Sequence, residues 1–128
     1  MTILDTNCLI RFFTKDDEHK ANKVRKLLES MEELYIPNVV FHELEYVLSG
    51  GYKTTRIEII KIFHFLISQK KIKVSKEVKQ AIKLFEDSKL DMADCLVASH
   101  SILKKDGKLA SFDKKLIKVS KTQPYRKL

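Results

Sequence analysis

Residues 1–7 read MTILDTN, and the reading of Thr2 to Asp5 decides the fold. Thr2, Ile3 and Leu4 have the β-branched and apolar character of a short strand. Asp5 then falls where that strand stops, close to the interior. A buried carboxylate costs several kcal/mol unless something neutralises it. Either Asp5 caps the helix that follows, or a positive partner reaches it from elsewhere in the chain.

The same alternation continues outward from this start. Leu34 to Ile36 reads as a second strand closed by Pro37, and Ile72 to Val74 as a third before Ser75. Gly107 turns the chain into a fourth, Lys108 to Ser111. Between them lie segments of helical character. A short helix covers Cys8 to Phe13, and Ala21, Val24, Leu27 and Leu28 mark another from about His19 to Ser30. Asn38 is placed to cap a helix running to Ser49 before Gly50 and Gly51. Thr55 with Glu58 forms a capping box for a helix ending near Lys70. Ser75 starts a helix through about Asp87, and Asp91 one through about Leu103. Strands separated by helices cannot be hairpins. The predicted fold is therefore α/β, a three-layer α/β/α arrangement with a central, mainly parallel sheet of four to five short strands. No linker, repeat or low-complexity stretch interrupts residues 1–128, so a single domain is expected. In such sheets ligands bind beyond the carboxyl ends of the strands. Asp5 lies at one such end, and Asp113 follows another in LASFD.

Further acids stand where apolar residues are expected. Projecting NVVFHELEYVLS at 100° per residue from Val39 puts the apolar residues on an arc from 0° to about 200°. Glu43 falls inside that arc at about 40°. Glu45 falls at about 240°, on the polar side with His42, which is read as exposed. DMADCLVASHSIL is apolar almost all round and carries Asp91 and Asp94 on its first turn. Capping accounts for some of these acids one by one: Asp91 is a good N-cap, and Asp113 could cap Lys114 to Ile117. It accounts less well for Asp94, whose helical neighbours Ala98 and Ser101 are small. Carboxylates brought together without a cation would repel one another, and hard oxygen ligands suit Mg²⁺ or Mn²⁺ rather than zinc.

Lys and Arg number 25 against 17 acids, a net charge of +8 that favours polyanions. The excess gathers late in the chain. Lys104, Lys105, Lys108, Lys114 and Lys115 are candidates for holding an RNA backbone, and Lys118, Lys121, Arg126 and Lys127 extend the basic flank. Cys8 and Cys95 show no metal-binding spacing and read as apolar filling. His19, His42, His64 and His100 show none either. There is no nucleophile elbow and no Walker loop. Phosphotransfer at Asp5 would want an acid where Asn7 stands. A receiver-type site would want an aspartate where the third strand ends at Ser75. No apolar run approaches the ~20 residues that span a bilayer. The N-terminus lacks a secretory pattern, so a cytoplasmic location is expected.

Taken in order, ILDTN, PNVVFHELEYVLSGGY, LDMADCLVASHS and LASFDKKL resemble the motifs of the PIN domain family, most closely its VapC-type toxins. The likeness covers nearly the whole chain. It implies an acidic quartet of Asp5, Glu43, Asp94 and Asp113, with Asp91 as an additional acid. Thr6 or Asn7, and Ser111, fall at polar positions that support the first and last aspartates. The resemblance further implies a Mg²⁺- or Mn²⁺-dependent endoribonuclease acting on RNA. Such a protein would be a homodimer, inhibited by a small antitoxin protein and without a membrane partner. A PIN-like module that binds RNA or protein without cutting, or a housekeeping RNA-processing nuclease, is the alternative.

Overall fold

The computed structural model describes residues 1–128, which pack as two compact units, Met1–Val74 and Ser75–Leu128.

In the first unit the chain runs β1 (Thr2–Ile3), α1 (Thr6–Thr14), α2 (Glu18–Glu29), β2 (Leu34–Tyr35), α3 (Asn38–Gly50), α4 (Arg56–Ser68) and β3 (Ile72–Lys73). The strands form a parallel sheet in the order β1-β2-β3, with Thr2 opposite Leu34 and Leu34 opposite Ile72. Each crossover is a helix pair, as parallel pairing requires. Leu4, Leu34 and Ile36 are buried with Leu9, Phe41, Leu44, Phe63 and Leu66. Phe41 and Phe63 meet edge to face with ring centroids 5.4 Å apart, joining α3 to α4. Helix starts follow local chemistry. The Asp17 carboxylate accepts from the Lys20 N–H, and the Thr55 hydroxyl from that of Glu58.

In the second unit come α5 (Lys76–Asp87), α6 (Met92–Leu103), β4 (Lys108–Leu109), α7 (Lys114–Ser120) and β5 (Gln123–Pro124). Helix α5 buries Val78, Ala81, Ile82, Leu84 and Phe85, and α6 buries Met92, Cys95 and Ala98. Strands β4 and β5 pair in parallel around α7, extended by a bond from the Tyr125 N–H to the Leu109 carbonyl.

The α/β class and the parallel pairing are as expected. The single sheet of four to five strands is not: hydrogen bonding divides five two-residue strands into a sheet of three and a sheet of two. With only two residues each, the strands supply too few ladder bonds for periodicity to show which of them pair. Strand β5 was unforeseen, since Gln123 and Pro124 carry no strand pattern. Helix α1 begins at Thr6 rather than Cys8, and Asn38 is the first residue of α3 rather than its cap, Pro37 holding that position.

Candidate functional site

The first unit holds two of the four acids. Asp5 takes the N-cap backbone position of α1 with φ −90° and ψ 157°, yet its carboxylate accepts no bond from the helix. It is exposed rather than close to the interior, although its neighbour Leu4, just after β1, is buried. Asp5 and Glu43 line one pocket of about 340 Å³, which also takes in Thr6, Asn7, Arg11 and Tyr52. The buried Thr6 hydroxyl donates to Glu43 Oε1 at 3.1 Å. Thr6 therefore steadies the second acid of this pair rather than the first. Asn7 is exposed on the pocket wall.

Glu43 is exposed, Glu45 half-buried and His42 half-buried, which reverses the expected pattern for α3. The buried residues are Val40, Phe41, Leu44 and Leu48, centred at about 155° on the projection. Val39 is 56% exposed, so the apolar arc is wider than the face that packs. Glu43 sits on its uncovered edge, where Asp5 also opens. His42 Nδ1 is buried with no hydrogen-bond partner.

The second unit holds the other acids. Asp91 caps α6, its Oδ1 accepting from the Asp94 N–H at 2.9 Å. Asp113 caps α7 by accepting from the N–H groups of Lys115 and Leu116 at 3.0 and 3.2 Å. The Ser111 hydroxyl accepts from the Asp113 N–H at 2.9 Å, and so holds the last aspartate through its backbone. Asp94 is half-buried beside the buried Ala98 and Ser101. Burial raises its pKa, and the charges of Asp91 and Asp113 raise it further.

None of Asp5, Glu43, Asp91, Asp94 and Asp113 forms an ion pair. In neither unit is a group of three His, Cys, Asp or Glu side chains closed up around a metal position. The donors are nonetheless carboxylate oxygens without basic partners, and Asp94 carries repulsion from two neighbours that a cation would relieve. The residues fit a hard divalent ion. Lys104, Lys105, Lys108, Lys114 and Lys115 are all exposed in the second unit.

Parallel strands joined through helix pairs, with acids at helix starts and in an open pocket, define an α/β protein with unpaired carboxylates at its surface. The PIN domain sequence model matches residues 2–122, and the chain belongs to the PIN domain family. A similar protein is a VapC ribonuclease of Aquifex aeolicus strain VF5, 29% identical over 102 residues and covering 75% of each chain. No solved structure gives a significant match. No helix is long and apolar enough to cross a membrane.

Proposed function

We propose that the chain is a divalent-metal-dependent endoribonuclease, the toxin of a toxin–antitoxin pair, acting as one domain over residues 1–128. The observation that carries this reading is the pairing of Asp5 with Glu43. They stand far apart in sequence, yet line one exposed pocket in which Thr6 fixes the glutamate. The family match spans both units, and the similar Aquifex protein is named a ribonuclease.

Asp5 and Glu43 of the first unit, and Asp94 and Asp113 with Asp91 of the second, are the residues that would hold Mg²⁺ or Mn²⁺. When bound, such an ion supplies Lewis acidity toward a phosphoryl oxygen and lowers the pKa of water. The protein's own contribution is positioning. Thr6 restrains the Glu43 carboxylate, and Ser111 restrains the backbone of Asp113. The second oxygen of Asp113, beyond the one that caps α7, stays available. Hydrolysis would leave 5′-phosphate and 3′-hydroxyl ends. A homodimer and a small inhibitory antitoxin complete the reading, the latter presenting basic side chains to the acids.

The test compares wild-type protein with Asp5→Asn, purified identically, on RNA with Mn²⁺ or Mg²⁺. Cleavage by the wild type and a loss of at least a hundred-fold in the variant is expected, about 3 kcal/mol of transition-state stabilisation. Equal cleavage by both would end the proposal.

A further inference from the structure

Arg11 forms a wall shared by two cavities. One is the pocket of Asp5 and Glu43. The other is a groove of about 290 Å³ between α1 and α2, lined by Cys8, Lys20, Lys23 and Val24. Asn7 and Arg11 line both, so the two cavities adjoin across these side chains. No acid lines the groove, whose surface is almost wholly apolar, and the exposed Lys20 and Lys23 line it with their aliphatic stems.

Arg11 is held in place from behind. Its Nη1 donates to Asp16 Oδ2 at 2.8 Å, and the Tyr52 hydroxyl donates to the same oxygen at 2.6 Å. One carboxylate oxygen thus ties α1 to the segment after α3, and the remaining guanidinium N–H groups stay uncommitted. A guanidinium oriented in this way suits a phosphate. Lys23 has no ion pair, and the exposed Lys20 meets Asp17 only at 4.0 Å, a contact worth little.

We infer that the RNA backbone leaves the acid-bearing pocket across Asn7 and Arg11 and follows this groove, with Arg11, Lys20 and Lys23 contacting phosphates beside the cut. The inference rests on the ribonuclease reading and adds to it the path of the substrate. Asp16 and Tyr52 are positioning residues for Arg11. The occupant is nucleic acid because the cations continue from the site where a phosphodiester would be cut.

The test is binding of a fluorescein-labelled twelve-nucleotide RNA by anisotropy in EDTA, across salt concentrations. Each lost phosphate contact lowers the slope of log affinity against log salt by about 0.7. The double variant Lys20→Gln/Lys23→Gln is expected to bind about ten-fold more weakly, with the slope reduced by about 1.4. Asp16→Asn should weaken binding too, because Arg11 loses its anchor. The control Lys61→Gln removes one positive charge on α4, half the change of the double variant, and should leave the slope unaltered. Equal slopes for wild type and the double variant would overturn the path, while wild-type cleavage in Mn²⁺ would leave the nuclease reading standing. Wild-type protein that neither binds nor cuts RNA would overturn both. A polyglutamate peptide that binds as tightly as RNA, and is lost with the same two lysines, would overturn the path in favour of an acidic protein segment.

Discussion

Burial, and then the charges of Asp91 and Asp113, raise the affinity of the Asp94 carboxyl for its proton. In the folded chain it therefore holds more protons than in the unfolded one, from the ordinary carboxylate range upward. Unfolding free energy falls as pH rises through that window. Asp94→Asn removes the cost, so the variant should melt at a higher temperature than wild type at pH 7 while cleaving no RNA. Thermal melts of both proteins between pH 4 and 7 check the sign. Asp16 behaves in the opposite way. The Tyr52 hydroxyl, and then Arg11, lower its pKa from 3.8 to about 2. Its contribution is present in full above the unfolded value and is lost as pH falls from about 4 toward 2. Asp16→Asn should flatten the acid limb of the melting profile in that interval. Asp5 has neither support: it is exposed, and no cap bond or lysine answers its charge. That leaves it open to a cation from solution.

At the scale of elements, Asp113 caps α7 and, in the proposed nuclease, would also hold the ion. One oxygen caps α7, and Asn caps as well as Asp. Asp113→Asn should thus keep the melting temperature near wild type and lose cleavage, whereas Asp113→Ala should lose cleavage and about 1 kcal/mol of stability. Chemical denaturation of the two variants separates the roles. Gly107 shows a different constraint, since a Cβ there would run into the Ser101 carbonyl oxygen where α6 turns toward β4. Gly107→Ala should cost about 1–3 kcal/mol, read in the same denaturation experiment. The caps at Asp91, Asp113, Thr55 and Ser75 were legible because each bond spans two or three residues. The exposure of Glu43 was not. A wheel shows which residues are apolar, but the partners of α3 select which part of that arc is covered.

At the scale of the molecule, the net charge of +8 sets the response to salt. If about four phosphates are contacted, RNA affinity should fall about fifty-fold between 50 and 200 mM salt, a loss the anisotropy titration would show directly. The sequence by itself determined the order of the helices and of the first four strands, and the parallel character of their pairing. These follow from short-range pattern: helical spacing, caps, and strands too far apart to be hairpins. Tertiary structure decided the rest. It split the strands into sheets of three and two, because two-residue strands find their partners only through the packing of the helices beside them. It turned Glu43 outward and Glu45 partly inward, and it brought Arg11, Asp16 and Tyr52 onto one oxygen. Asp16 and Tyr52 are thirty-six residues apart, and no local periodicity encodes a contact across that distance.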